Sequence, residues 1–279
     1  MKETTRRSFF KLSGTALCSS LCLNAVQASA ASSSAPLTLG MASYTFRKFK
    51  LKDCLSMTKR LGLGKIAFKS FHLPLDASDS EILAVVQKVK DAGLELYGGG
   101  VIYMKDEAQV HQAFHYAQTA DMKVIIGVPN HDLLDLVEEK VKETDIYLAI
   151  HNHGPGDKLY PSPESAFEKV KNRDARMGLC IDIGHTMRIS QDPTEEYKKF
   201  NERVFDIHIK DVTRATADGV TVEIGRGIID IPNFLSTLSE HEYQGTVALE
   251  FEKDADDPLP GAAESIGYLK GVMAGLEWK

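Results

Sequence analysis

Ile146-Tyr147-Leu148-Ala149-Ile150-His151-Asn152-His153-Gly154-Pro155 is the stretch from which the fold can be read. A short, mostly apolar run, too brief for a helix, reads as a strand buried on both faces, and the polar residues after it mark its end. Pro163 then stands where a helix is expected to start. The same unit recurs in both directions along the chain. Upstream, β-branched runs lie at Leu37–Tyr44, Lys65–Phe68, Leu94–Tyr97 and Val124–Val128; downstream they lie at Met177–Ile183, Phe205–Ile209 and Thr246–Phe251. Between them, apolar residues three or four apart predict amphipathic helices, as in Ile82, Val85, Val86 and Val89 or Leu133, Leu134, Leu136 and Val137. Gly93 sits where one such helix should stop. Strands alternating with helices imply parallel strands joined by crossovers.

Eight such units over about 240 residues predict an α/β chain folded as a single (β/α)8 TIM barrel, spanning residues 37–279. An open doubly wound sheet would carry a glycine fingerprint after its first strand, and Ser43-Tyr44-Thr45-Phe46 carries none. Gly98-Gly99-Gly100, after the third predicted strand, lacks that spacing and reads as a place where backbones approach closely. The longest irregular insertion, Val212 to Ile231, is expected to form a lid or rim over the barrel mouth.

The 279 residues are 43% hydrophobic and 26% charged, enough apolar area for one large core and too much for a disordered chain. The amino terminus reads differently. Thr5-Arg6-Arg7-Ser8-Phe9-Phe10-Lys11 precedes a modestly apolar stretch, Leu12 to Val26, and Ala28-Ser29-Ala30 has the small-x-small pattern of a cleavage site. This resembles a twin-arginine export signal over residues 1–30, with 31–36 as a flexible lead, and it implies a periplasmic or otherwise exported protein. Without those 30 residues the chain keeps 29 basic and 38 acidic residues, a charge of −9, which opposes nucleic-acid binding. After residue 30 no apolar run is long enough for a membrane span. Cys54 and Cys180 are too few for a disulfide framework, and Cys180, in an apolar run, is expected to be a buried thiol.

In a barrel of this kind chemistry sits at the carboxyl ends of the strands. Strands five to eight run into His151, Asp182, His208 and Glu250. Imidazole nitrogens and carboxylate oxygens suit a divalent ion such as Zn²⁺, Mn²⁺ or Co²⁺. Side chains alternate along a strand, so these residues can point inward together and converge on one ion.

At these residues the chain resembles the xylose isomerase-like TIM barrels of the sugar phosphate isomerase/epimerase superfamily, which include sugar isomerases, sugar epimerases and keto-inositol dehydratases. The resemblance covers roughly residues 37–276. It is carried by Ile181-Asp182-Ile183-Gly184-His185, Asp206-Ile207-His208-Ile209-Lys210-Asp211 and Ala248-Leu249-Glu250-Phe251-Glu252. It implies that Asp182, His208 and Glu250 are metal ligands and that His185 lies beside the substrate. Strand five departs from the family pattern. Many members end it with Glu before Asn-His, whereas this chain has His151-Asn152-His153, within an Ile150-His151-Asn152-His153-Gly154-Pro155 run that looks like a feature of an exported subgroup. Histidine at 151 gives a site of two histidines, one aspartate and one glutamate, leaves the ion more net positive charge, and removes one base of a two-glutamate epimerase.

Three residues are candidates for proton transfer: His153, His185 and Lys210. A nearby cation would lower the pKa of Lys210, and pairing with Glu252 is its structural alternative. Arg188, Asn152, His72, Tyr103, Arg226 and Glu252 are candidate substrate contacts, with a surface role equally open for Arg226. Glu195-Glu196 and the group Asp254, Asp256 and Asp257 read as solvated faces. An exported barrel meets free sugars or glycosides rather than sugar phosphates. The expected chemistry is metal-assisted removal of a proton α to a keto-sugar carbonyl, with β-elimination from a keto-glycoside favoured. A sugar isomerase or epimerase is the alternative, and a metal-dependent hydrolase a further one. An endonuclease of this fold would need more ligands and a basic face.

Overall fold

The computed structural model describes residues 37–276. The expected signal at 1–30, the lead at 31–36 and the last three residues of the predicted barrel lie outside the described residues. Runs of aliphatic and β-branched residues form eight strands: β1 (Thr38–Ala42), β2 (Lys65–Phe68), β3 (Glu95–Met104), β4 (Val124–Pro129), β5 (Tyr147–His151), β6 (Met177–Asp182), β7 (Val204–Ile209) and β8 (Thr246–Leu249). They close in the order β1-β8-β7-β6-β5-β4-β3-β2, every neighbouring pair parallel. The molecule is a (β/α)8 barrel.

Eight helices connect the strands and a ninth follows the last one: α1 (Leu51–Arg60), α2 (Asp79–Asp91), α3 (Glu107–Thr119), α4 (Leu134–Thr144), α5 (Pro163–Val170), α6 (Ile183–Arg188), α7 (Pro193–Phe200), α8 (Ile231–Glu240) and α9 (Leu259–Leu276), counted among the described residues. Their apolar stripes pack outside the strands, as Ile82, Val86 and Val89 of α2 do. α5 begins at Pro163, and the Ser162 hydroxyl accepts the Ser165 N–H at 3.1 Å as its cap.

Three strands end two or more residues from the expectation, and one of them is β8, which stops at Leu249 rather than Phe251. β1 stops at Ala42, and Ser43–Phe46 turns into a short 3-10 helix whose Thr45 hydroxyl donates to the Leu249 carbonyl at 3.2 Å. β3 runs on to Met104, so Gly98-Gly99-Gly100 lies inside the strand rather than after it. The close approach anticipated there is real: a Cβ on Gly100 would sit 2.4 Å from the Ile126 carbonyl oxygen of β4.

Inside the barrel the inward positions include Ala42, Ala67, Ala149, Cys180 and Ala248. These small side chains pack inside the barrel with the larger Tyr97, Val124 and Ile126. Cys54 and Cys180 are both buried free thiols. The Val212–Ile231 insertion forms the rim. Its first residues make an antiparallel ribbon, Asp211–Val212 with Thr221–Val222. The buried Asp211 carboxylate accepts the N–H groups of Val212, Gly225, Gly227 and Ile229 at 2.9–3.2 Å, which fixes the loop. Among the described residues no helix is long and apolar enough to cross a membrane.

Candidate metal centre

Strand tilt decides how four strand ends meet. Asp182 is level with His208 in the β6–β7 register, His208 with Ala248 in β7–β8, and His151 with Cys180 in β5–β6. The site residues therefore climb by two positions from β5 to β6 and by two more from β7 to β8. That climb is the stagger that brings residues of tilted strands to one height.

One donor atom from each of His151, Asp182, His208 and Glu250 lies within 4.8 Å of all the others, and all four residues are buried. His151 Nε2 is 3.1 Å from His208 Nδ1 and 3.5 Å from Asp182 Oδ2, while His208 Nδ1 is 3.4 Å from Glu250 Oε2. Donors each about 2.0–2.2 Å from a shared ion can be no more than about 4.4 Å apart, so the set fits a divalent ion after contraction by a few tenths of an ångström. Asp182 Oδ2 is buried and faces the Lys210 ammonium at 3.0 Å and His151 Nε2 at 3.5 Å, so it lies among the other donors of the set. Burial pushes His151 down to about 3, leaving a neutral imidazole able to ligate. For Asp182 and Glu250 burial acts upward, but the surrounding cations outweigh it and hold both carboxylates ionised. Cys180 Sγ forms a second possible donor group with His151 and His208. Burial, then Asp206, holds that sulfur as a neutral thiol, and it donates to Asp206 Oδ2 at 3.4 Å. It is therefore the poorer ligand.

Lys210 is the cation at this centre. Its Nζ lies 3.0 Å from Asp182 Oδ2, 2.9 Å from Glu250 Oε2 and 2.8 Å from Glu252 Oε1. Burial alone would strip its proton, but those three carboxylates outweigh it and hold the ammonium well above the ordinary lysine range. The pairing with Glu252 that was the structural alternative for Lys210 is therefore present, together with Asp182 and Glu250. The ribbon of side chain fits because position 184 is glycine: a Cβ there would stand 2.7 Å from Lys210 Cδ.

Above the centre lies a cavity of about 290 Å³, whose walls include His153, His185, Tyr103, Tyr44, Glu252 and Lys69. His153 Nε2 is 3.0 Å from Tyr103 Oη, and burial lowers the pKa of both His153 and His185. The other anticipated substrate contacts lie elsewhere. Asn152 is buried, accepts the Asp182 N–H at 3.0 Å and donates to Thr186 Oγ1 at 3.1 Å, so it holds Asp182 in place. His72 is buried with Nε2 3.1 Å from the Phe49 carbonyl. Arg188 donates to the Ala217 carbonyl at 2.6 Å, bracing the rim, and its Nη1 is 3.5 Å from His185 Nδ1. Arg226 is exposed and pairs with Glu264 of α9. These four side chains already have protein partners, which spacing along the chain cannot reveal.

The profile of the xylose isomerase-like TIM barrel family matches residues 130–272, just over half of the chain. The chain belongs to that family. An inosose dehydratase from Lacticaseibacillus casei is 23% identical over 157 residues, 50% of this chain and 52% of that protein. The chain thus spans about half the length of the curated relatives it matches. Among solved structures, an uncharacterised protein from Parabacteroides distasonis superposes with a TM-score of 0.67 at 24% identity, covering 85% of this chain and 99% of the other. The apo form of 3-keto-D-glucoside 4-epimerase from E. coli gives 0.69 at 15% identity, covering 84% and 99%. At these identities the structures share the fold.

Within this member of the xylose isomerase-like barrels, the structure adds residues that sequence reading passed over. Lys69, one residue beyond β2, and Tyr44 in the 3-10 turn both face the cavity. Asp206 lies beneath the centre, accepting from Tyr97 Oη at 3.1 Å, with its Oδ2 3.6 Å from His208 Nε2. The period-two pattern that placed His208 also places Asp206 on the same face, and was the signal available for it.

Proposed function

We propose that this barrel is a divalent-metal-dependent carbohydrate enzyme that removes the proton α to a keto-sugar carbonyl and, on a keto-glycoside, expels the glycosidic substituent from the β carbon. The observation that carries this reading is the convergence of His151, Asp182, His208 and Glu250 at the bottom of a cavity walled by two histidines that burial favours as neutral. A zinc, manganese or cobalt ion held by those four residues would supply Lewis-acid polarisation of a ketone oxygen.

The chain's own residues supply the rest. His153 and His185 are imidazoles able to accept the α proton, and the 3.0 Å contact with Tyr103 Oη orients the His153 ring. Lys210, bound to three carboxylates, orients Asp182 and Glu250 and draws Glu252 to the cavity edge. Its retained proton suits that orienting role better than that of a base. A neutral histidine in place of a strand-five carboxylate removes one member of the paired-glutamate arrangement that a two-base inversion uses, which favours elimination. Similarity to an inosose dehydratase supports elimination, and similarity to a keto-glucoside epimerase supports the second reading, an isomerase or epimerase, which shares the first proton transfer.

Metal-loaded protein incubated with a keto-glycoside in deuterated water tests the choice. Release of the aglycone with a new enone absorbance is expected. Deuterium incorporation without aglycone release would replace elimination by isomerisation or epimerisation.

We also propose that residues 1–30 are removed on export, on the strength of Arg6-Arg7 and Ala28-Ser29-Ala30. Protein from the periplasmic fraction of the native cell is then expected to start at Ala31. An intact amino terminus on cytoplasmic protein would refute it.

A further inference from the structure

Two lysines reach the cavity region, and their surroundings are opposite. Lys210 is bound by three carboxylates. Lys69 makes no ion pair among the described residues, and its Nζ donates to the Val101 carbonyl and stands 5.6 Å from the centroid of the Tyr103 ring. Its backbone is pinned by the N–H bond to Ser43 Oγ at 2.8 Å, so the side chain enters the cavity from a fixed point at the end of β2. An ammonium has three donors, and the protein takes one of them. Burial pushes the Lys69 pKa down, with the more distant Glu250 partly opposing. The cavity is therefore walled by two histidines and by a lysine with donors to spare.

The placement is complementary. His153 and His185 come from the ends of β5 and β6, Lys69 from the end of β2, and the Tyr103 side chain touches both sides through its ring and its hydroxyl. A sugar ring seated in this cavity would meet both the histidines and Lys69.

We infer that Lys69 is the general acid that protonates the oxygen leaving the β carbon. This rests on the elimination reading above. A histidine takes the α proton, the C–H electron pair becomes the new Cα=Cβ bond, and the Cβ–O bond breaks with its electrons on oxygen. The Lys69 ammonium delivers a proton to that oxygen, giving a free alcohol and a neutral amine. Exchange with water then returns a proton to the amine and removes one from the imidazolium.

A leaving-group series tests this role directly. Keto-glycosides of methanol, phenol and 4-nitrophenol are compared with wild-type protein, Lys69→Met and Lys69→Arg, each metal-loaded and checked for metal content and melting temperature. A general acid matters most for the poorest leaving group. Lys69→Met is expected to slow methanol release by roughly 10²–10⁴, the usual contribution of a general acid, and 4-nitrophenol release by less than about tenfold. Lys69→Arg, which keeps the charge but holds its proton, is expected to behave like Lys69→Met. Exchange of the α proton with deuterated water should persist in both variants. Equal loss for all three leaving groups, or recovery of the wild-type rate in Lys69→Arg, would overturn the assignment and make Lys69 a binding or orienting cation. A wild-type protein that exchanges the α proton yet releases no aglycone from any of the three would refute the elimination reading itself, and this inference with it.

Discussion

The two ends of the barrel offer two cavities, and the larger one is at the wrong end for chemistry. At the amino-terminal floor a pocket of about 570 Å³ is lined by Tyr97, Tyr147, Tyr243 and Phe205 among others. At the carboxyl-terminal mouth the cavity is about 290 Å³ and is lined by histidines, two glutamates and Lys69. The floor's buried hydroxyls are already satisfied: Tyr97 donates to Asp206, and Tyr243 donates to the Thr246 carbonyl at 3.4 Å. Burial raises both phenols far above the ordinary tyrosine range, so they remain neutral. At the mouth, buried carboxylates are held ionised around Lys210, and Lys69 has donors to spare. Volume and apolar lining measure room, whereas unsatisfied and opposed charges mark where binding and proton transfer can occur.

The sharpest way to break this contrast is Asp182→Ala. It removes a carboxylate from the four-donor set, and dialysed protein is expected to lose bound metal and all measurable turnover together, as read by elemental analysis. Full metal occupancy in that variant would move the metal site away from the mouth. Next in size is Lys210→Met, which strands three carboxylates without their cation. Breaking a buried ion pair in this way costs about 3–5 kcal/mol, and denaturant melts of the metal-free protein should show a loss of that order. Added zinc or manganese should then stabilise the variant more than the wild type, because an ion replaces part of the missing charge; an equal gain in both proteins would show that Lys210 and the metal do not share these carboxylates.

Asn152→Ala should have a smaller effect at the same end. Without the bonds that Asn152 makes to the Asp182 backbone and to Thr186, metal affinity should fall roughly 10–100-fold while the fold stays intact. An unchanged affinity in a metal titration would show that Asp182 is held by the strand alone. The smallest effect belongs to the floor. Tyr147→Ala removes the edge-on contact with Phe205, whose ring centroid lies 4.9 Å away, and should cost about 1 kcal/mol of stability. Turnover should be unaffected, and a loss of turnover with normal metal content would show that the floor takes part in function.

Much of this was legible in the chain. The alternation of short buried strands with amphipathic segments determined the barrel, because strands covered by helices on one side and packed against one another on the other must be apolar throughout. Period-two alternation also put His151, Asp182, His208 and Glu250 on inward faces at four successive strand ends, and a divalent ion was the natural partner for that composition. Contacts between residues far apart in sequence were decided only by the tertiary structure. Whether Lys210 met a metal or three carboxylates depended on how Asp182, Glu250 and Glu252 lean across the barrel. Asn152, Arg188 and Arg226 found partners in Thr186, the Ala217 carbonyl and Glu264. Lys69 carried no motif: a lone lysine after a strand reads like any surface lysine. Its position beside the cluster of His151 and Glu250 comes from closure of the sheet, in which β2 stands beside β1 and β3 and far along the sequence from β5 to β8. A chain can spell out which residues sit at strand ends, but the distances and charges between them exist only once the barrel has closed.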